Sequence, residues 1–323
     1  MEDVAREAGV SRALVSIAYR GVAGVSDQSR EHILSVGARL GYVPNRIAAQ
    51  LASKGGDALG LFLQDLHNDV FADIHDGVRE VASAASVDLV ISVGTIDGHD
   101  DQRSLDTLLG HRVDVVIAAG LLMPDADLLQ FAQRVPTVSV ARSVPGIDSV
   151  YSDNFTGASL ATQHLLNLGH TRIAFLSNPQ TDGYLDRERG YRDTMAQANL
   201  AATVMPTTYS RAQAALDAGR LLDTAARPTA IFAHNDFTAL GVLDALALRH
   251  LAPGRDVSVV GYDNTSASQA PGSALTTVDI HSVELGREAA RLAMHRVEHP
   301  DAPAQSVLLE PTLVVRGTTG PLA

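Results

Sequence analysis

Several polar side chains of this 323-residue chain stand at the ends of apolar runs, where they could hydrogen-bond a small molecule. Asp263 directly follows an apolar run, and its carboxylate can accept hydrogen bonds from two hydroxyls of one ligand. Asn235 can both donate and accept, whereas Asp236 beside it is expected to cap the helix that follows. Asp65 lies in a polar loop at 64–69 that also follows an apolar run. This set predicts a binding site for a polar compound.

Other kinds of chemistry find little support in the sequence. His295 and His299 have the i, i+4 spacing of a metal-binding pair, but they lie at a predicted helix end, where such side chains complement the helix dipole. The chain has no cysteine, which excludes disulfides and thiolate zinc sites. The glycine-rich nucleotide-binding motifs G-x-G-x-x-G and G-x-x-x-x-G-K-(S/T) do not occur. No Ser–His–carboxylate set has the sequence context of a catalytic triad. We therefore expect no enzyme, no metal site and no cofactor.

The elements that would position these residues alternate between strand and helix from residue 57 onward, which predicts parallel sheets covered by helices on both faces. Strands are expected in two series, near 58–63, 89–93, 113–118 and 136–140, and then near 172–176, 203–205, 229–232 and 257–260. Two series indicate an α/β body of two lobes, with a ligand cleft beyond the carboxyl ends of the strands. The first lobe is assigned to residues 57–151 and 281–303, and the second to residues 152–280 and 304–323.

Residues 1–44 have the pattern of a small helical domain, with helices expected near 3–8, 12–19 and 27–40. Gly9 can take a positive φ in the first turn, and Ser11 is a natural N-cap for the second helix. Together with the small Ala5 and the apolar Val15, this spacing fits two helices that cross steeply, as in a helix-turn-helix. Another small three-helix bundle is the alternative at this point.

Residues 45–56 read as one short helix and a flexible exit, and a helix of about eight residues is too short to persist alone in water. At this point the chain resembles the lactose/galactose repressor (LacI/GalR) family. The resemblance rests on DVAREAGVS at 3–11, VS at 15–16, GY-PNR-A at 41–48, Leu51, LGHTRIAF at 168–175, RERGY at 187–191, HNDFTALG at 234–241, VSVVGYDN at 257–264 and LTTV at 275–278. It covers essentially the whole chain, and it implies a helix-turn-helix domain, a hinge helix and a two-lobed, periplasmic-binding-protein-like body.

The resemblance implies that the N-terminal domain reads duplex DNA. Arg12 and Ala13 would face base edges from the start of the recognition helix, where an arginine can grip the O6 and N7 atoms of guanine; a phosphate contact is the alternative for Arg12. Leu51 would wedge into the minor groove and kink the duplex, with packing between the domains as the alternative. The further DNA contacts implied are Ser11, Ser16, Asn45 and Arg46.

In the body, the resemblance implies that Arg187 grips an effector, since a guanidinium fork suits hydroxyls or a carboxylate. Phe71 and Phe155 match positions where the family often places aromatic rings against the effector. Core packing is the alternative for both phenylalanines, and a structural ion pair is the alternative for Arg187 and Asp263. Family members often have Asn-Pro-Phe before the first body helix, whereas this chain has Asn-Asp-Val-Phe at 68–71.

Charge is divided unevenly along the chain, whose formal net charge is −12. Residues 1–54 carry seven cations and five acids, a net +2, whereas the remaining residues carry 18 cations and 32 acids, a net −14. Only the N-terminal domain can therefore attract phosphate, and the acidic body is held away from DNA. No run reaches the roughly 18 apolar residues of a membrane span, and the N-terminus lacks the features of a signal peptide. We expect a cytoplasmic protein with no membrane partner.

These observations predict a transcription regulator, in the usual family form a repressor, whose binding to a palindromic operator is controlled by a sugar or a related polar effector. A homodimer is expected, because helix-turn-helix regulators usually read two half-sites related by a two-fold axis. A solute-binding protein of the sugar transport type shares the two-lobed body and is the alternative, but it would require export and no DNA-binding domain. An enzyme on an α/β scaffold is a third class, which no constellation of residues supports.

Overall fold

Three short helices form the N-terminal part of the computed structural model, which describes residues 1–21, 23–42, 58–178 and 185–322. They are α1 (Glu2–Glu7), α2 (Arg12–Arg20) and α3 (Asp27–Arg39). The Ser11 hydroxyl caps α2 by accepting a hydrogen bond from the backbone N–H of Leu14 at 3.2 Å, and Gly9 takes the predicted positive φ of +66° before it. The three helices enclose a core of Val4, Ala5, Val15, Ala18, Ile33 and Val36.

The chain divides into two compact units, Met1–Gly56 and Asp57–Ala323, which we call the head and the body. The body strands are β1 (Ala58–Leu63), β2 (Asp88–Val93), β3 (Val115–Ala119), β4 (Thr137–Val140), β5 (Asp148–Ser152), β6 (Ile173–Ser177), β7 (Thr203–Pro206), β8 (Ala230–Ala233), β9 (Ser258–Asp263), β10 (Thr276–Asp279), β11 (Ser306–Leu309) and β12 (Thr312–Val314). Its helices are α4 (Asp69–Ala84), α5 (Asp101–Gly110), α6 (Asp125–Ala132), α7 (Asn154–Asn167), α8 (Leu185–Gln197), α9 (Arg211–Leu222), α10 (Asp236–Leu248), α11 (Ser266–Gln269) and α12 (Ser282–Glu298).

The strands form two six-stranded sheets, one in each lobe. The first has the order β11-β5-β4-β3-β1-β2 and the second the order β12-β10-β9-β8-β6-β7. All neighbours pair in parallel except β10 and β12, which are antiparallel. Buried strands such as β1 and β3 consist almost entirely of apolar residues, because helices cover both faces of a parallel sheet. The two-lobed fold predicted from the alternating pattern is therefore confirmed.

The chain passes between the lobes three times, from β5 to α7, from β10 to α12 and from β11 to β12. The predicted lobe boundary is wrong at the last of these passages. Residues 304–323 were assigned to the second lobe, but Ser306–Leu309 pair in parallel with Ser149–Ser152 of the first sheet. The sequence pattern did not reveal β5, so it offered no partner for this segment in the first lobe.

Helices α4 and α12 cross closely on the first lobe because each has a glycine at the crossing point. A Cβ atom on Gly77 would overlap the backbone carbonyl oxygen of Val283, and one on Gly286 would overlap that of Ile74. This contact holds the start of α12, which follows the second passage between the lobes, against α4. In the part of the chain that the structure describes, no helix has the length and apolar character needed to cross a membrane.

Candidate functional site

Arg187 and Asp263 lie together at the base of the cleft in the body. Arg187 comes from the first turn of α8 and Asp263 ends β9, and their closest atoms, Nη2 and Oδ1, are 3.4 Å apart. The Arg187 Nε donates to Oδ1 of Asn154 at 2.8 Å, and Nη1 donates to the backbone oxygen of His234 at 2.7 Å. The guanidinium also lies 3.8 Å from the ring centroid of Tyr262. The structure thus brings Arg187 and Asp263 together. They form the ion pair that the sequence analysis named as the alternative to a ligand contact.

Burial governs the electrostatics of this pair. Arg187 and Asp263 are 5% and 3% exposed. Desolvation raises the pKa of the Asp263 carboxyl, whereas the adjacent guanidinium acts in the opposite direction. Asp263 also adopts a φ of +110°, and Asn264 one of +59°, in the region that favours glycine. Side chains held in such conformations cluster at functional sites, which supports the assignment of this corner as the binding centre.

Asn235, and not Asp236, caps the helix α10. Asn235 is the N-cap of α10, because its Oδ1 accepts a hydrogen bond from the backbone N–H of Thr238 at 2.9 Å. Asp236 is fully buried, and it accepts from Oγ1 of Thr277 at 2.6 Å and from the backbone N–H of Thr265 at 2.8 Å. The prediction that Asp236 caps the helix is wrong, since its carboxylate instead joins β10 to the loop after β9.

A narrow part of the cleft brings Asp65, Phe71 and Asn235 together, with a volume of about 10 Å³. Tyr209 and Phe237 of the second lobe line the same space. Asp65 is turned toward its own loop, where Oδ1 accepts from the backbone N–H of His67 at 3.0 Å. Phe71 is 4% exposed and belongs to the core of the first lobe as well. The lobes therefore meet closely here, and the core alternative for Phe71 coexists with its position in the cleft.

Phe155 lies apart from these residues. It is half-buried near the start of α7, and the guanidinium carbon of Arg189 lies 5.1 Å from its ring centroid. It lines neither the narrow part of the cleft nor the larger cavity beside Asp263. Among the described residues, Phe155 thus has a cation–π partner, and its predicted contact with an effector stays a prediction.

A larger cavity of about 620 Å³ lies beside Asp263, between α4, α11, the start of α12 and the passages between the lobes. Direct hydrogen bonds join the lobes at its edge, where Oδ2 of Asp69 accepts from Oγ of Ser266 at 2.9 Å and from the backbone N–H of Ala267 at 3.3 Å. We call this contact the clasp. The volume of the cavity is within the usual range of small-molecule sites.

Sequence reasoning missed Asp73 and Ser282, which line this cavity, and did not single out Asp69, which forms the clasp at its edge. The two aspartates are one helical turn apart on α4, a spacing that places both on one face of the helix. That spacing was the available signal. It could not be used without knowing which face of α4 meets the second lobe.

In the head, the start of α2 presents the predicted DNA-reading residues to solvent. Ser11, Arg12 and Ala13 are exposed, and Ser16 one turn later is half-buried. Arg12 Nη1 lies 2.8 Å from Oε1 of Glu2, in an exposed ion pair. A first helical turn open to solvent is what insertion into a major groove requires. The other three predicted DNA contacts, Asn45, Arg46 and Leu51, lie outside the described residues.

No group of three or more His, Asp or Glu residues within the described ranges is placed to hold a metal ion. The rings of His295 and His299 are 4.6 Å apart between centroids. Gln305 is the further polar neighbour of His295, at 3.4 Å from Nδ1. Two histidines and an amide do not make up the ligand set of a structural or catalytic zinc site.

A three-helix head with an exposed second helix and a two-lobed body with a buried polar cleft define a ligand-responsive DNA-binding regulator. Comparison with known proteins agrees with this class. A family model described as bacterial regulatory proteins, lacI family, matches residues 1–45, and one described as a periplasmic binding protein-like domain matches residues 162–319.

Full-length relatives give the same result. The HTH-type transcriptional regulator DegA of Bacillus subtilis (strain 168) is 31% identical over 99% of this chain and 98% of its own length. The crystal structure of the lac repressor dimer bound to operator and the anti-inducer ONPF is 28% identical, has a TM-score of 0.86 and covers 98% of each chain. The complex of the transcriptional regulator CelR with cellobiose is 29% identical, has a TM-score of 0.74 and also covers 98% of each chain.

The chain belongs to the lacI family of bacterial regulatory proteins. It is a DNA-binding transcriptional regulator and not an enzyme. These findings confirm the family, the fold class and the general function that the sequence motifs indicated.

Proposed function

We propose that this protein is a repressor that binds a palindromic operator as a homodimer. A small polar effector bound in the body would raise or lower its affinity for the operator. The observation that carries the proposal is the full-length similarity to the lac repressor dimer on its operator, at a TM-score of 0.86. The exposed start of α2 supports the DNA contact. The protein would act in the cytoplasm, where a bacterial chromosome lies.

On DNA, Arg12 and Ala13 would face base edges, and Ser11, Ser16, Asn45 and Arg46 would hold phosphates or neighbouring bases. Leu51 would enter the minor groove where two hinge segments meet. The first turn of α2 supports this assignment because Arg12 and Ala13 are both exposed there. Arginine bonds to guanine give base discrimination, whereas the phosphate contacts mainly set affinity and orientation.

In the body, Arg187, Asp263, Asn235, Asp65 and Phe71 would surround the effector. Arg187 and Asp263 support this most strongly, because they are buried, paired and adjacent to a cavity of about 620 Å³. The cellobiose complex of a relative supports a sugar or a sugar-like compound as the effector class. An effector can change DNA binding only if its affinity differs between the operator-bound and the free conformations.

The experiment is a binding titration of the purified protein with inverted-repeat DNA from the neighbourhood of its own gene, measured by fluorescence anisotropy at several salt concentrations. The proposal predicts tight binding to one such repeat and a steep loss of affinity as salt rises, because phosphate contacts release counterions. A solute-binding protein would ignore the DNA. Absence of binding at low salt to every repeat would overturn the proposal.

Two variants separate DNA contact from effector contact. Leu51→Ala should weaken specific DNA binding and leave effector binding unchanged, because the side chain is assigned to the minor groove. Asp263→Asn should abolish the effector response and leave DNA binding without effector unchanged, because it keeps the size of the carboxylate beside Arg187. Equal loss of both activities in Leu51→Ala would show that Leu51 serves packing alone.

A further inference from the structure

The cavity beside Asp263 is lined by more acidic than basic side chains. Its acids are Asp73, Asp263, Asp279, Glu284 and Glu310, and its basic side chains are His281 and Arg287. Such an excess of negative charge raises the local concentration of cations and disfavours anions. The charges of the lining therefore bear on the charge of the effector that the cavity binds.

The basic side chains of the lining are already engaged by carboxylates. Arg287 donates to Oε2 of Glu284 at 2.9 Å and, from Nε and Nη2, to Oε2 of Glu80 at 3.1 and 2.9 Å. Nδ1 of His281 lies 3.6 Å from Oδ2 of Asp279. Arg287 is thus bound by two glutamates, and His281 lies beside Asp279. Neither basic side chain is therefore available to bind an anionic ligand.

Among the described residues, two lining acids have no ion pair, Asp73 and Glu310, and Glu310 is exposed. The Asp73 carboxyl is half-buried on α4, and the charged groups that act on it are all acidic: Asp69, Asp76 and Asp279. Burial and these three carboxylates raise the pKa of Asp73 to about 6. A cation placed beside Asp73 would relieve both the repulsion and the incomplete solvation.

Ser282 provides an independent observation at the same cavity. It is 5% exposed at the start of α12, it lines the cavity, and its Oγ has no hydrogen-bond partner among the described residues. A buried hydroxyl without a partner costs free energy unless something bonds to it. A ligand hydroxyl in the cavity would satisfy Ser282.

From this geometry we propose that the effector carries a protonated amine, held by Asp73, together with a hydroxyl that bonds to Oγ of Ser282. An amino sugar or an amino polyol meets both conditions, and a volume of about 620 Å³ accommodates a compound of that size. Sugar acids would face the unrelieved acidic lining and are disfavoured. The inference rests on the proposed function, since it names the chemical class of the effector at the same cleft.

The test is a thermal-shift and calorimetry panel in which each amine is measured beside a hydroxyl analogue and a sugar acid of similar size. Glucosamine, glucose and glucuronate form the first set, and further amino sugars and amino polyols follow in the same way. At least one amine should bind about tenfold or more tightly than its hydroxyl analogue, the ratio expected for one charge-assisted hydrogen bond. Binding of a sugar acid as tightly as the amines, or no amine-selective binding in the whole panel, would overturn the inference.

Two variants of α4 localise the effect. Asp73→Asn should weaken binding of the amine about tenfold and leave the hydroxyl analogue unchanged, because it removes the charge and keeps the shape. Asp76→Asn is the matched control, since Asp76 lies on the same helix, is exposed and pairs with Arg79 at 3.5 Å. Equal losses in both variants, or no loss in Asp73→Asn, would contradict a specific role for Asp73.

The DNA titration keeps this inference distinct from the proposed function. Protein that binds its operator but shows no amine selectivity contradicts the inference alone. Protein that binds an amine in the cleft but no DNA contradicts the proposed function alone. Loss of the amine preference in Asp73→Asn, with operator binding retained, is the result that supports both.

Discussion

Arg187 is held in place by the protein before any ligand arrives. Its Nε and Nη1 donate to Asn154 and to the backbone oxygen of His234, and its guanidinium lies over Tyr262. These contacts come from α7, from the loop after β8 and from β9, so the orientation of the guanidinium depends on three elements. A site whose polar groups are already oriented loses less entropy when the ligand binds.

At the residue scale, the ion pair between Glu2 and Arg12 predicts a test of DNA reading. Glu2→Gln should tighten DNA binding by up to about fivefold, because an exposed pair of this kind is worth at most about 1 kcal/mol and its loss frees Arg12. Arg12→Ala should instead weaken binding about tenfold or more. Anisotropy titrations at low salt measure both.

Glu7→Gln is the control for Glu2→Gln, because it removes the same charge from the head and frees Arg39 instead of Arg12. If both substitutions tighten DNA binding equally, the net charge of the head is responsible, and the specific role of Arg12 is contradicted.

A second residue-scale prediction concerns pH. Burial raises the pKa of Asp236 from 3.8 to about 6, so the folded state holds this proton more tightly than the unfolded state does. The contribution of Asp236 to the free energy of unfolding is therefore complete below about pH 4 and falls by about 3 kcal/mol as the pH rises through 6. Asp236→Asn removes this dependence.

Thermal unfolding at several pH values measures the effect of Asp236→Asn. The melting temperature of the variant, relative to the natural chain, should rise between pH 4 and pH 6. Asp223→Asn is the control, since Arg249 lowers the pKa of the exposed Asp223 and gives the opposite sign. Parallel curves for Asp236→Asn and the natural chain would show that Asp236 does not titrate in this range.

The apolar run that ends before Asp263 located that residue, whereas Arg187 was located only by the family resemblance, through the RERGY motif at 187–191. The sequence motifs did not locate Asp73 or Ser282, which lie on helices where only tertiary packing decides the side facing the cavity. They also assigned the wrong task to Asp236. A side chain at the first helical position can cap the helix or turn into the core. The Asp236 side chain turns into the core because it accepts hydrogen bonds there from Thr265 and Thr277.

At the scale of elements, the crossing of α4 and α12 depends on Gly77 and Gly286. Gly77→Ala should destabilise the body by about 1–3 kcal/mol, because the new methyl group overlaps the carbonyl oxygen of Val283 and the helices must move apart. Gly110→Ala is the matched control at a helix end, where a Cβ meets nothing within 4 Å. Thermal unfolding should separate the two, and an equal melting temperature would contradict the close crossing.

The clasp between Asp69 and α11 predicts a shift in lobe closure. Asp69→Ala removes two hydrogen bonds to the second lobe and should favour the open body by about 1–2 kcal/mol. Small-angle scattering should show a larger radius of gyration without ligand, and ligand affinity should fall. Asp76→Ala on the same helix should change neither the radius of gyration nor the ligand affinity. If Asp69→Ala also leaves the radius of gyration unchanged, the clasp has no role in closure.

Most body elements were predictable, because their apolar periodicity is strong and their boundaries carry caps or glycines. Two were missed for different reasons. β5 has the sequence DSVYS, whose polar residues hide a central strand that is paired on both sides by β4 and β11. α11 has four residues and no apolar stripe, and it owes its place to the turn after Asp263 and to the clasp.

At the scale of the whole molecule, charge separates the two tasks of the chain. The net charge of +2 on residues 1–54 and of −14 on the remainder confines phosphate attraction to the head. The same acidity extends to the lining of the body's cavity, and the proposed preference for an amine effector follows from it. One uneven charge distribution thus bears on both partners.

Operator binding measured with and without a ligand of the cleft tests whether the body controls DNA binding by the head. Anisotropy titrations with the identified inverted repeat are repeated in the presence of the tightest-binding amine of the panel, for the natural chain and for Asp263→Asn. The operator affinity of the natural chain should change about fivefold or more when the ligand is present, and that of Asp263→Asn should not change. A ligand that fills the cleft and leaves the operator affinity of the natural chain unchanged would contradict control of DNA binding by the body.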